Sequence, residues 1–390
     1  MFIERLKPLE RTGHTDRREF LLGIATASLV TLAGAGANSS NPDVRQKSPA
    51  GLRTYLANEM RKAGIPGMQV AIARRGSIVF FDSFGAADIE NSVPVTNSSV
   101  FQIASCTKAF VGVAVMQLVE EGKIDLDAPV SRYLENLPRA WRAVTVLQVA
   151  SHTSGLPDLV SNLAALRLIV EGNAEASWAK VQTMPMEFQP GEKFNYVQTN
   201  YVVLGKILDV VTGEPFVEFI RKGQLARVGM RRTCYGDDHD IVLRSARTYT
   251  PYVLENGTPK RTSALYKTYI EFPAMLRTCG GLNSTAEEIA RWLIALQRGV
   301  LLKNKASARA LWTARQLSNG KVAPWGLGGW VFDRPKHPVF FSVGAAKAAF
   351  ATYPNDDLAI VVLTNLSADL WLPFLDGIAA HYLPDVSNTT

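Results

Sequence analysis

Ser105 and Lys108 stand three residues apart at the head of a long apolar segment. A serine hydroxyl is a weak nucleophile at its ordinary pKa and needs an adjacent base. Residues i and i+3 share a helix face. A lysine serves as that base where burial or a cationic neighbour favours its neutral form. The following residues, Ala109 to Met116, carry no strongly polar side chain, so their helix is apolar all round and belongs in an interior. A helix N-terminus adds positive potential and free backbone N–H groups that can hold an oxyanion. Taken alone, Ser-x-x-Lys also fits a serine N-cap followed by a chance lysine.

Two further segments carry comparable chemistry. Pro190-Gly191-Glu192-Lys193-Phe194-Asn195-Tyr196-Val197-Gln198-Thr199-Asn200-Tyr201 precedes the apolar run Val202 to Val211. Tyr196 falls at the start of the predicted helix. A phenol near two ammonium groups gives up its proton more readily and can act as a general base; its other use is packing, with the hydroxyl on a backbone carbonyl. Phe340-Phe341-Ser342-Val343-Gly344-Ala345 falls on a late strand. A strand edge can turn a backbone N–H toward a substrate carbonyl, and Gly344 permits close approach of a ligand. The alternative is a plain strand with a bulge.

The elements that must position these residues follow from periodicity and punctuation. Leu52–Ala63 reads as a helix ended by Gly64 and Pro66. Met68–Ala73 and Ser77–Phe81 read as strands around the turn Arg74-Arg75-Gly76. Late strands are predicted at Gly328–Asp333, Val339–Val343, Ala348–Tyr353 and Leu358–Leu363. The middle is predicted mostly helical, with helices at Ser105–Glu121, Val146–His152, Thr199–Val211, Pro215–Gln224 and Ala286–Leu296, and a last helix at Ala368–Tyr382. Hairpin-linked strands imply an antiparallel sheet. Sheet elements at both ends with helices between imply an α+β fold split by a largely helical insertion. The expected organisation is a sheet subdomain from about 50–104 and 275–385 and a helical subdomain of about 105–274.

The N-terminus reads as an address. Arg17-Arg18 precedes Phe20 to Ala37, a chargeless, mildly apolar stretch with small-x-small cleavage candidates at 33–37. Residues 1–37 thus look like a twin-arginine export signal, followed by a polar linker over 38–49. A periplasmic or secreted protein is expected, without stable membrane insertion of the mature chain. The whole chain has 390 residues, 47% hydrophobic and 20% charged, which excludes a disordered or fibrous protein. Its charge of +7 comes without basic runs interleaved with aromatics, so nucleic acid is not an expected partner. Three cysteines, Cys106, Cys234 and Cys279, form no Cys-x-x-Cys pair and no disulfide framework.

The order Ser-x-x-Lys, then Tyr-x-(Asn), then a late strand motif resembles the serine β-lactamase and penicillin-binding protein superfamily, most of all its class C β-lactamase-like branch of esterases and D-amino-acid peptidases. Phe101–Leu118, Glu120–Val130, Ser151-His152-Thr153-Ser154-Gly155-Leu156-Pro157, Pro190-Gly191, Gly280–Thr285 and Val361–Asn365 look like family signatures, so the similarity covers roughly 50–383. The resemblance implies a β-lactamase-like fold with Ser105 as acylated nucleophile and Lys108 and Tyr196 sharing the acid–base work. It further implies an oxyanion hole from the N–H groups of Ser105 and Ala345, substrate contacts at Gln198, Ser342 and Gly344, and no metal or organic cofactor. The expected substrate is a small ester, amide or peptide.

Two departures bear on specificity. The family's second motif ends in Asn where this chain has Gln198; Asn195 or Asn200 are candidates to compensate. The third motif opens with Lys or His where this chain has Ser342, so no cation stands there to pair a substrate carboxylate. Lys347, at odd spacing from Ser342, would face the other side of a regular strand. Esterase-like activity on neutral substrates is therefore favoured. The alternatives are β-lactamase or D-amino-acid peptidase (DD-carboxypeptidase) activity on cell-wall material, a non-catalytic relative binding cell-wall fragments, and acyl transfer. His152, without a Gly-x-Ser-x-Gly elbow, reads as structural. Asp237-Asp238-His239-Asp240 reads as a solvated loop, and Cys106 as a core side chain. Trp325 and Trp330 are either cleft-lining or buried.

Overall fold

A computed structural model describes residues 49–255, 258–269, 273–345, 347–367, 372–383 and 385–386. The predicted export signal, and the predicted linker up to residue 48, lie outside the described residues. The chain opens with helix α1 (Leu52–Ala63), ended by Gly64 at φ 71°. Then come strands β1 (Gly67–Arg74), β2 (Ser77–Asp88) and the short β3 (Val93–Pro94). After the helical middle, β4 (Trp330–Phe332), β5 (Val339–Gly344), β6 (Ala348–Tyr353) and β7 (Leu358–Thr364) complete a seven-stranded sheet in the order β4-β5-β6-β7-β1-β2-β3. Its long pairings are antiparallel, with Met68 opposite Thr364 and Val70 opposite Val362 where the two chain ends meet. This is the α+β architecture expected from the sequence.

The central strands carry continuous apolar runs because both sheet faces are covered. Leu358, Ile360 and Val362 of β7 pack on one side with Leu52 and Leu56 of α1 and with Leu375 and Ile378 near the C-terminus. Ala359, Val361 and Leu363 pack on the other with Phe110, Ile289, Trp292 and Leu293. Strand periodicity thus assigns alternate residues to two separate cores.

Helix α2 (Thr107–Glu120) runs through the second core and is buried from Thr107 to Leu118. Gly112 lets it pass close to the backbone of Leu327, where a Cβ would stand 2.1 Å from the carbonyl oxygen. Helix α3 (Gln198–Thr212) and helix α4 (Ala286–Gln297) flank it, and α5 (Leu372–Ala379) closes the described chain.

Most predicted elements occur within a residue or two of the expected bounds. The exceptions are strand β2, which runs on to Asp88 where Phe81 is the predicted end, parts of the middle, and the final helix. Helices at Leu163–Val170 and Ala174–Gln182, capped by Asn162 and Asn173, occupy a stretch for which no element is predicted. A hairpin of Tyr249–Glu255 and Thr258–Lys267 interrupts the region expected to be helical. The final helix covers Leu372–Ala379 and ends three residues before its predicted C-terminal bound, while positions 368–371 of the prediction lie outside the described residues.

Candidate active site

Ser105 lies in a single 3-10 turn, Ala104–Cys106, that feeds directly into α2. Ala104 holds φ at 44°, in the left-handed region. This costs an L-residue of the order of 1–2 kcal/mol and sets the approach of the chain to the nucleophile. One turn on, Lys108 is fully buried. Its Nζ donates to Ser105 Oγ at 3.3 Å and to the Cys279 carbonyl at 2.7 Å. The ammonium also faces the rings of Tyr196 at 4.9 Å and Tyr201 at 5.3 Å, contacts that help offset its desolvation.

Tyr196 reaches the same oxygen, its hydroxyl donating to Ser105 Oγ at 2.9 Å. The fold fixes this phenol by packing. His152 lies 4.5 Å from its ring and Trp325 5.3 Å, while Trp330 stands 5.3 Å behind Trp325. Trp325 is therefore part of the wall that backs Tyr196. His152 is fully buried, and desolvation together with the charge of Lys108 pushes its pKa well below the usual imidazole range. Its Nδ1 accepts from the Val197 N–H at 3.3 Å and faces the Asn200 amide at 3.0 Å. His152 is thus a neutral buttress for Tyr196, with no contact to Ser105 among the described hydrogen bonds.

Asp158 fixes the start of α3. Its carboxylate accepts the Gln198 N–H at 2.9 Å and the Ser161 hydroxyl at 2.6 Å, satisfying one of the free donors of the helix. The Gln198 carbonyl accepts from Cys279 Sγ at 3.4 Å, so Gln198 touches the residue whose carbonyl holds Lys108. The two candidate substitutes for the motif asparagine are committed elsewhere. Asn200 accepts the Ser154 hydroxyl at 2.6 Å, and Asn195 bonds Glu187 at the surface.

The third motif ends against Ser105. A Cβ on Gly344 would fall 2.0 Å from the Ile103 carbonyl and 2.9 Å from the Ser105 nitrogen. Gly344 thus permits a close approach of the chain's own backbone at this point. Ala345 follows at φ 47° and is exposed, next in the chain to the glycine that packs on the Ser105 backbone. Ser342 is 1% exposed and lies beside the buried thiol of Cys106, which itself donates to the Ala348 carbonyl at 3.5 Å. Its parity on β5 aims it into the core. Cys106 is itself buried and its thiol is pushed up to about 12, mainly by desolvation, so it is no competing nucleophile.

Asp158 and the Cys279 carbonyl were not singled out in the sequence. Any residue type can supply a carbonyl, so composition carries no trace of the second. Asp158 directly follows the Ser151–Pro157 signature, and an Asx residue after Leu-Pro was the available signal. The acidic segment 237–240 is a hydrogen-bonded loop: Asp238 accepts from Gln102 at 2.9 Å and Asp240 pairs with Arg277 at 2.9 Å.

With this geometry in place, comparison with known proteins gives the family. Residues 52–379 match the Beta-lactamase family model, and the chain belongs to that family. Protein flp of Staphylococcus aureus (strain MW2) is 23% identical over 325 residues, covering 81% of this chain and 63% of that protein. The chain therefore spans less than two thirds of the length of that relative. Among solved structures, the octameric penicillin-binding protein homologue from Pyrococcus abyssi is 25% identical, with a TM-score of 0.69 over 87% of this chain and 77% of that one. EstCE1, described as a hydrolase with promiscuous acyltransferase activity, shares the fold at a TM-score of 0.66 and 21% identity over 86% of this chain and 96% of that one.

Proposed function

We propose that this chain is a serine hydrolase that forms an acyl-enzyme on Ser105 and cleaves small, uncharged esters or amides, with esters favoured. The observation that carries the reading is the convergence of two proton-bearing groups on one hydroxyl. Tyr196 at 2.9 Å and Lys108 at 3.3 Å both reach Ser105 Oγ. With one of the two in its basic form, phenolate or neutral amine, that group takes the hydroxyl proton as Oγ attacks the carbonyl carbon. It returns that proton to the leaving alkoxide or amine, and a water molecule then releases the acyl group by the reverse sequence. The Ser105 and Ala345 N–H groups hold the charge that develops on the carbonyl oxygen.

The preference for neutral substrates rests on Ser342, which buries a hydroxyl where related motifs carry a cation. The family supports hydrolysis, and the promiscuous acyltransferase activity of EstCE1, which shares the fold, keeps acyl transfer as the second reading. Arg17-Arg18 and the chargeless stretch after them support export to the periplasm or beyond. Steady-state rates on a p-nitrophenyl ester, a chromogenic cephalosporin and a D-Ala-D-Ala peptide test the preference. The ester is expected to give the largest Ser105-dependent kcat/KM; a larger value for either carboxylate-bearing substrate would overturn it.

A further inference from the structure

Lys347 occupies the turn after the third motif and does not behave as strand parity requires. Strand β5 stops at Gly344, and the Lys347 N–H closes a turn on the Gly344 carbonyl at 3.0 Å. Its own carbonyl accepts from the Thr364 N–H at 2.8 Å and the Thr364 hydroxyl at 2.9 Å, which pins the turn to β7. Released from the strand, the side chain enters the interior and is 1% exposed. Nζ donates to Gln102 Oε1 at 2.7 Å and to the Thr248 hydroxyl at 3.4 Å. Gln102 in turn donates to Asp238 at 2.9 Å.

This is an expensive way to hold a turn. A buried charge without a direct counter-ion adds little stability, and apolar replacement of such groups is often neutral or favourable. Its two ends explain its presence. The turn carries Ala345, and Gln102 lies on the strand Phe101–Gln102, three residues before Ser105. One ammonium therefore joins the two backbone segments that carry the two oxyanion donors.

We propose that Lys347 is a positioning residue for the oxyanion hole, clamping the Ala345 turn to the strand that leads into Ser105. The inference rests on the acyl-enzyme reading above. The groups that face the ammonium are Gln102, Thr248 and, through Gln102, the Asp238 carboxylate. Burial pulls the Lys347 pKa down to about 8, with Asp238 opposing the shift. The charge, and with it part of the rate, is lost as pH rises through that value.

The test compares wild type, Lys347→Met and Gln102→Met on a p-nitrophenyl ester between pH 6 and 10, with unfolding midpoints measured in parallel. Misplacing an oxyanion donor lowers kcat rather than binding, so kcat should fall by roughly tenfold or more in both variants, with KM within about twofold. The wild-type advantage over Lys347→Met should shrink above pH 8. A Lys347→Met protein that folds with wild-type kcat overturns the inference. So does wild-type kcat in Gln102→Met, which covers the case of a Lys347→Met chain that does not fold. Ser105→Ala separates the two claims, because turnover that survives it overturns the acyl-enzyme reading instead.

Discussion

Tyr196 donates its hydroxyl to Ser105 Oγ at 2.9 Å, across 91 residues of chain, while its ring lies 4.5 Å from the neutral imidazole of His152. The contact ties the loop before α3 to the turn before α2. It makes the surroundings of the Ser105 hydroxyl a product of two helix starts rather than of one motif. Lys108, one turn inside α2, meets the same oxygen and the same aromatic ring.

The first expectation concerns that pair. Tyr196→Phe and Lys108→Met each remove one hydrogen-bond donor to Ser105 Oγ. Each should lower the acylation rate by roughly 10²-fold or more, the scale of lost general acid–base catalysis. Single-turnover acylation by a p-nitrophenyl ester measures this. Near-wild-type rates in both variants would remove the pair from the mechanism.

A second expectation concerns Ser342. From the motif alone, Ser342→His would be a route to carboxylate-bearing substrates. In the fold the side chain is 1% exposed beside Cys106, so imidazole must displace packed core. Ser342→His should lower stability by about 1–3 kcal/mol, the usual cost of overpacking, with no gain on carboxylate substrates. Urea unfolding and cephalosporin turnover check both halves; a stable variant with raised turnover would show that the position opens to the cleft.

Stability should also depend on a clamp far from the site. His337 Nδ1 faces Asp356 at 2.9 Å and its Nε2 faces Asp385 at 2.9 Å, which ties the turn before β5 to the C-terminal segment. Burial disfavours the charged imidazole, but the bonds to Asp356 and Asp385 outweigh it, and the pKa is raised above 6.5. A raised histidine pKa contributes stability that is fully present below 6.5 and lost as pH climbs through the folded value. Asp385 is shifted down, chiefly by its side-chain bonds to Lys336 and then His337. Its contribution is present above 3.8 and lost as pH falls. The clamp is strongest between those limits. Wild type should therefore exceed His337→Gln in urea midpoint at pH 5, and the gap should narrow by pH 8.5; a gap that widens would reverse the assignment.

How far the sequence reached can be read residue by residue. Ser105, Lys108 and Tyr196 converge on one hydroxyl, and their segments were legible because Ser-x-x-Lys on an all-apolar helix and a tyrosine just ahead of another helix are local patterns with few structural solutions. Strand pairing at the two chain ends was legible for the same reason, since continuous apolar runs with marked turns require a covered sheet. Three features depended on long-range packing. The hairpin at Tyr249–Glu255 and Thr258–Lys267 contains Pro251 and Pro259, which argue against strands, although Asn256-Gly257 was a hairpin signal in the sequence. Ser342 was assigned by motif position, whereas its parity on β5 aims it at Cys106. Lys347 was assigned by strand parity, whereas the strand ends three residues earlier, at Gly344.

The most direct measurement of the central claim is intact-protein mass spectrometry after exposure to a fluorophosphonate, on wild type and Ser105→Ala. The account predicts one added phosphonyl group per wild-type chain, mapped to the peptide that contains Ser105, and none on the variant. An unmodified wild-type protein, or the same adduct on Ser105→Ala, would contradict it.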